Sequence, residues 1–92
     1  MFENFACAET KRIFQGQVSL SLPTHIQRTA RRKLLALNAA MQLADMAVPP
    51  GSRLEALRGG RSGQHSIRIN DQWRICFRWE SGAHAVEIVD YH

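Results

Sequence analysis

The spacing of apolar residues changes from a helical repeat to a strand repeat near the middle of this 92-residue chain. In the first half, apolar residues recur every three or four positions, which is the period of one helix face; they are Ile26, Ala30, Leu34, Leu37, Met41 and Ala44. After Gly51 the period is two, most clearly in the sequence WRICFRW at residues 73–79. Helices that precede antiparallel strands predict an α+β fold.

Two helices are predicted before that change of period. A short one covers residues 8–15, and Gly16 is placed to end it. A longer one covers residues 24–45, and the sequence VPPG at residues 48–51 follows it, where proline cannot continue a helical hydrogen-bond ladder. The stretch FENFA at residues 2–6 is predicted as a short first strand. The helices therefore lie between a first strand and the main sheet in chain order.

An antiparallel meander is predicted for the second half of the chain. Its strands come from runs around residues 53–57, 67–69, 73–79 and 84–89, and Asn-Asp and Ser-Gly pairs supply the turns between the last three. Alternation gives the sheet an apolar face, which the long helix is expected to cover, and a cationic face. The apolar face carries Trp73, Ile75, Phe77, Trp79, His84, Val86 and Ile88, and the cationic face carries Arg68, Arg74 and Arg78.

Length and composition indicate a single domain spanning residues 1–92 with a formal net charge of +4. Ten of the twelve basic residues are arginines, the side chain suited to bidentate phosphate contacts, although an acidic protein partner would fit equally well. The two cysteines, Cys7 and Cys76, match no metal-ligand spacing and are predicted to be reduced thiols, as in a cytoplasmic protein. No secretion signal, membrane span, cofactor motif or metal site is predicted.

A longer sequence pattern resembles a known family. The stretch RLEALRGGRSGQHSIRINDQWRICFRW, together with the ending VEIVDYH, is similar to the HigB-type toxins of bacterial type II toxin–antitoxin systems, in the RelE/ParE superfamily. The similarity extends to FACAET near the start and PPGSRLEAL in the middle. The matching residues of the main pattern are Leu57, Gly59, Arg61, Gly63, Ser66, Ile67, Ile69, Asn70, Trp73, Arg74, Ile75, Phe77, Asp90, Tyr91 and His92.

The resemblance implies a RelE-like fold and a metal-independent mRNA endonuclease that acts in the ribosomal A site and inhibits translation. It also implies a HigA-type helix-turn-helix antitoxin, with operator DNA bound only through that antitoxin. Two positions depart from the usual family pattern. Glu55 stands where many members have histidine, and Arg58 stands where lysine is usual.

Cleavage of RNA through its own 2′-OH needs a base, a cation for the phosphorane and an acid for the leaving oxygen. The expected catalytic residues are Arg74, His92, Tyr91, Asp90, Arg58 and Glu55. Arg74 and Arg58 would supply fixed charge, His92 proton transfer, Tyr91 stacking or orientation, and Asp90 orientation of His92 or a nucleotide. The candidates for the general base are Glu55 and His92, and groups of the substrate or the ribosome could also help. Further RNA contacts are expected from Arg61, Arg68 and Arg78.

Two other functions fit parts of the same sequence. A gyrase-poisoning toxin of the superfamily would not need the proton-active ending Asp-Tyr-His. A non-catalytic RNA- or DNA-binding co-repressor would show salt-sensitive binding without cut ends. The basic residues of the long helix, Arg28, Arg31, Arg32 and Lys33, fit a solvated surface, ribosomal RNA or an acidic antitoxin, and the sequence does not rank these uses.

Overall fold

The computed structural model describes residues 4–48 and 50–90, and within them two helices lie against a four-stranded antiparallel sheet. The helices are α1, Ala8–Phe14, and α2, Thr24–Ala39. The strands are β1, Glu55–Ala56; β2, Gln64–Arg68; β3, Trp73–Trp79; and β4, Ala83–Asp90; they pair in chain order. Short 3₁₀ turns occupy Leu43–Ala47, Pro50–Ser52 and Gly59–Arg61. The predicted α+β, RelE-like arrangement is confirmed.

The N-terminal segment lies parallel to the free edge of β4. Phe5 forms an isolated parallel bridge with Val86, and the amide of Ala6 donates to the carbonyl of Val86 at 3.0 Å. Residues 2 and 3 of the predicted first strand lie outside the described residues.

The second helix is six residues shorter than predicted, because it ends at Ala39 rather than at Asp45. The carboxylate of Asp45 accepts hydrogen bonds from the backbone amides of Met41 at 2.9 Å and Gln42 at 3.2 Å. These bonds cap a new 3₁₀ turn, and a side chain that binds backbone amides in this way competes with continuation of the α-helix. Met41 is therefore 89% exposed instead of continuing the buried stripe.

The Asp45 cap is expected to make folding stability depend on acid. Its backbone hydrogen bonds lower the pKa of the Asp45 carboxyl below the ordinary value. The cap therefore contributes fully above the pKa of the unfolded chain, near 3.9, and its contribution is lost as the pH falls through the lower folded pKa. Thermal unfolding of the wild type and Asp45→Asn at a series of pH values checks this. The difference in Tm between the wild type and Asp45→Asn should shrink or change sign as the pH falls below about 4. A difference that stays constant over the pH series would contradict the role of the Asp45 carboxylate as a cap.

The core lies between α2 and the apolar face of the sheet, as the two periods predict. Its fully buried members include Ile26, Ala30, Leu34, Leu37, Ile67, Ile75, Phe77 and Val86. Trp73 and Trp79 are only partly buried at its edge. None of the helices in the described part of the chain is long and apolar enough to cross a lipid bilayer.

A bulge in β4 changes the face on which His84 lies. The register between β3 and β4 shifts between Cys76 and Arg78, and Ala85 adopts a positive φ of 50°. His84 consequently pairs with Arg78, on the face away from the helices, so its predicted place beside Val86 and Ile88 is wrong.

Candidate functional site

The sheet face opposite the helices contains an open cleft of about 270 Å³ at its Arg74 end. Strand pairing sets Arg68 directly opposite Arg74 and sets Glu55 opposite Ser66. The cleft, named here the Arg74 cleft, is lined by Arg53, Glu55, Arg68, Asn70, Asp71 and Arg74. The pairing thus brings three of the predicted site residues, Glu55, Arg68 and Arg74, to one place.

Arg74 is buried, with 7% of its surface exposed, and its guanidinium is held by several groups. Nη1 donates to the Ser66 hydroxyl at 2.9 Å, and Nη2 approaches the Arg53 carbonyl oxygen at 3.5 Å. Both carboxylate oxygens of Glu55 lie 3.4 Å from the guanidinium nitrogens. A buried cation is costly unless it is paired and hydrogen-bonded, so these contacts explain how its charge is retained and its orientation fixed.

Arg53 is a site residue that the sequence reasoning missed. It adopts a left-handed conformation with φ of 46°, which costs about 1–3 kcal/mol for a residue other than glycine, and its carbonyl faces the Arg74 guanidinium. Arg53 also lines the cleft. The sequence predicts a strand around residues 53–57, but β1 covers only Glu55–Ala56, so Arg53 lies before it. The Pro-Pro-Gly-Ser sequence before Arg53 is a turn signal that indicates an irregular backbone at this position instead.

The loop between β2 and β3 forms the end of the cleft. The side-chain oxygen of Asn70 accepts hydrogen bonds from the backbone amides of Gln72 at 2.9 Å and Trp73 at 2.8 Å. These bonds fix the loop as an Asx turn. The guanidinium of Arg68 forms an ion pair with Asp71 in the same loop. The four intervening residues make the connection longer than the predicted two-residue turn.

Asp90, the last described residue, ends β4. It pairs with Trp73, the residue before Arg74, and its Oδ2 accepts a hydrogen bond from the side-chain Nε2 of Gln72 at 3.2 Å. Tyr91 and His92, two of the predicted catalytic residues, lie outside the described residues.

The remaining predicted cations lie towards the other end of the sheet face. Arg61 forms an ion pair with Glu87 at 2.7 Å and donates to Gln64 at 3.1 Å. Arg78 is exposed and pairs with Gln64, about 13 Å along the strand from Arg74. Arg58 is exposed just before the Gly59–Arg61 turn. Arg58, Arg61, Arg78 and Asp90 are not among the residues that line the Arg74 cleft.

Cys76 separates the two ends of this face. It pairs with Glu87 on β4 and with Ser66 on β2, and it is completely buried. Burial, more than the nearby Glu87 carboxylate, raises the pKa of the Cys76 thiol. A buried thiol kept in its protonated form is a poor nucleophile, so Cys76 has a packing role here.

Known proteins resemble the chain over most or all of its length. A family model described as the RelE-like toxin of the type II toxin-antitoxin system HigB matches residues 3–92. Toxin HigB-1 of Vibrio cholerae is 39% identical over 71 residues, which cover 77% of this chain and 75% of that protein. Endoribonuclease HigB of Proteus vulgaris is 27% identical over 93 residues, and the match covers 100% of both chains.

Proposed function

The chain belongs to the RelE-like HigB toxin family of type II toxin–antitoxin systems, and from this premise we propose that it inhibits translation by cutting mRNA in the ribosomal A site. The endoribonuclease activity named for the Proteus vulgaris relative supports the reaction class. The toxin would act in the cytoplasm. A HigA-type antitoxin would neutralise it and carry the operator-DNA contact.

The observation that carries the proposal is the buried, fixed charge of Arg74 in an open cleft. A guanidinium whose orientation is set before substrate arrives stabilises a phosphorane without reorganising in the transition state. Arg53 and Arg68 line the same cleft and add positive charge for the flanking phosphates. Arg58, Arg61 and Arg78 would contact RNA further along the sheet face.

In the proposed reaction the 2′-oxygen bonds to phosphorus as the phosphorus–5′-oxygen bond breaks. The products are a 2′,3′-cyclic phosphate and a 5′-hydroxyl. His92 protonates the leaving 5′-oxygen, Asp90 orients His92, and Tyr91 holds the nucleotide by stacking or by a hydrogen bond. Arg74 stabilises the charge on the phosphorane oxygens, and Arg58 adds positive charge outside the cleft.

Glu55 is the proposed general base, because its carboxylate lies 3.4 Å from the guanidinium that would hold the phosphate. A phosphate bound to Arg74 would therefore have this carboxylate near its 2′-OH. Glu55→Gln keeps a hydrogen-bonding side chain but removes the base, and cleavage should fall by about 10²-fold or more. Single-turnover cleavage rates across a pH series measure this. Glu80→Gln is the matched control, because it removes an exposed carboxylate that does not line the Arg74 cleft. An unchanged rate and pH profile in Glu55→Gln would exclude Glu55 as the general base.

The deciding experiment maps mRNA 5′ ends in a purified translation reaction, with and without ribosomes, for the wild type and His92→Gln. New 5′-hydroxyl ends that need both ribosomes and His92 are expected. If the new mRNA 5′ ends form equally well without ribosomes, cleavage in the A site is contradicted, and the protein is a ribonuclease that acts on free RNA. If folded wild-type protein produces no new ends, the endonuclease proposal fails, and gyrase inhibition or salt-sensitive nucleic-acid binding should be assayed next.

A further inference from the structure

Helix α2 carries a cluster of positive charge on its outer surface, and none of its residues lines the Arg74 cleft. Its sequence, THIQRTARRKLLALNA, contains four cations and no acidic residue. In the described part of the chain, none of the ion pairs involves an α2 cation; the pairs are those of Arg12, Arg61, Arg68 and Arg74. Arg28 and Arg32 are four residues apart, a like-charge spacing that destabilises a helix by a few tenths of a kcal/mol.

Two adjoining grooves follow this surface. The first, of about 330 Å³, is lined by Arg28, Arg31, Arg32 and Leu35, residues at the spacing of one helix face. The second, of about 250 Å³, is lined by Arg32, Lys33, Ala36, Met46, Val48 and Ser52. Because Arg32 lines both, they form one continuous surface, named here the α2 groove.

The α2 groove combines exposed aliphatic side chains with its cationic rim. Val48 is 74% exposed and Leu35 is 41% exposed, although both are large apolar residues. Lys33 donates to the Ser52 hydroxyl at 2.8 Å, which ties the helix to the 3₁₀ turn on the far wall. Burial, followed by repulsion from Arg32 and then Arg68, lowers the pKa of Lys33. The groove is therefore a preformed site whose positive charges lack acidic partners in the described residues.

We propose that the α2 groove binds an acidic, amphipathic polypeptide segment of the antitoxin. Carboxylates of such a segment would pair with Arg28, Arg31 and Arg32, and its apolar side chains would cover Leu35 and Val48, as in helix-in-groove recognition. Single-stranded nucleic acid fits less well, since such sites pair positive charge with aromatic side chains for base stacking, and the residues lining this groove are aliphatic. The inference rests on the antitoxin partnership in the proposed function but not on RNA cleavage.

The test uses a fluorescent helical peptide of about 20 residues, about 30 Å long, with glutamates along one face and leucines along the neighbouring one. A scrambled peptide of the same composition and an oligouridylate of equal charge are the comparison ligands. Binding is measured by anisotropy at about 0.15 M salt, where exposed charges are screened beyond about 8 Å. The patterned peptide should bind more tightly than either comparison ligand.

Two matched pairs of variants locate the binding site. Arg28→Gln/Arg32→Gln should weaken peptide binding by about tenfold, the effect of about 1.4 kcal/mol, whereas Lys11→Gln/Arg12→Gln removes equal charge from α1 and should change it little. Val48→Ser should weaken binding, whereas Leu20→Ser, at a side chain 98% exposed elsewhere, should not. Equal losses in both charge variants, equal binding of the scrambled peptide, or no binding would overturn the inference.

The same samples separate this inference from the proposed function. Tighter binding of the oligouridylate, lost in Arg28→Gln/Arg32→Gln, would overturn the inference in favour of a nucleic-acid surface. Wild-type protein that binds the patterned peptide in the α2 groove but leaves mRNA uncut would overturn only the endonuclease proposal. Protein that cuts mRNA but does not bind the peptide would overturn only the docking site.

Discussion

Arg74→Ala is expected to lower the rate of RNA cleavage by about 10²–10³-fold, the loss typical of removing one preorganised group that stabilises transition-state charge. Arg74 is the most buried of the predicted cations, and its guanidinium is held by Ser66 at 2.9 Å. Water replaces it poorly, because a solvent dipole must reorient while the charge develops. The measurement is the single-turnover cleavage rate in the ribosome-programmed reaction.

The same substitution should leave the protein folded. It orphans the buried Ser66 hydroxyl, which costs about 1–3 kcal/mol, and it leaves Glu55, which is half-exposed, in contact with water. A domain of this size has roughly 5–14 kcal/mol of stability, so thermal unfolding should show a cooperative transition at a lower Tm.

Two further variants separate charge from geometry at this position. Arg74→Lys keeps the charge but cannot reproduce the planar fork, so partial activity is expected. Arg78→Ala removes an exposed arginine from the same strand and the same face, and it should reduce cleavage much less. Equal losses in Arg74→Ala and Arg78→Ala would contradict a special role for the buried cation and support a diffuse electrostatic one.

Local sequence patterns predict most of the secondary structure but not the end of α2. Residue spacing and stop signals predict the Ala8–Phe14 helix and the start of α2. The alternation of apolar and polar residues predicts which β3 side chains lie on each face of the sheet. The end of α2 depends on Asp45 turning its carboxylate back to two amides, a tertiary choice that periodicity does not contain. The face of His84 depends on a bulge that shifts the register by one residue.

The candidate site was predictable to a similar extent. Alternation places Arg68 and Arg74 on one face, but it does not predict that Arg74 is buried among Ser66, Glu55 and the Arg53 carbonyl. The pair between Arg61 and Glu87 joins residues 26 apart in the chain, and such long-range pairs leave no local sequence signal. The role of Arg53 depends on a left-handed backbone that the strand-like run concealed.

Phe77→Ala is expected to lower the free energy of unfolding by about 3–5 kcal/mol, a large share of the stability of a domain this size. Phe77 is among the largest completely buried side chains, and its ring stacks on His65 at 6.1 Å between centroids. Truncation leaves a cavity under the strand that pairs with both β2 and β4. For a domain of this size the Tm should fall by at least about 12 °C, measured by circular dichroism.

The matched control is Leu20→Ala, at a side chain 98% exposed, which should change stability by less than about 0.5 kcal/mol. A fall of less than about 1 kcal/mol in Phe77→Ala would contradict the close packing of this core, since only a site that collapses fully would give so small an effect. Phe77 and Arg74 lie on opposite faces of β3, three residues apart. Phe77→Ala should therefore lose cleavage only at temperatures at which it unfolds, whereas Arg74→Ala should lose cleavage at temperatures at which it is folded. This difference separates a residue that builds the site from one that acts in it.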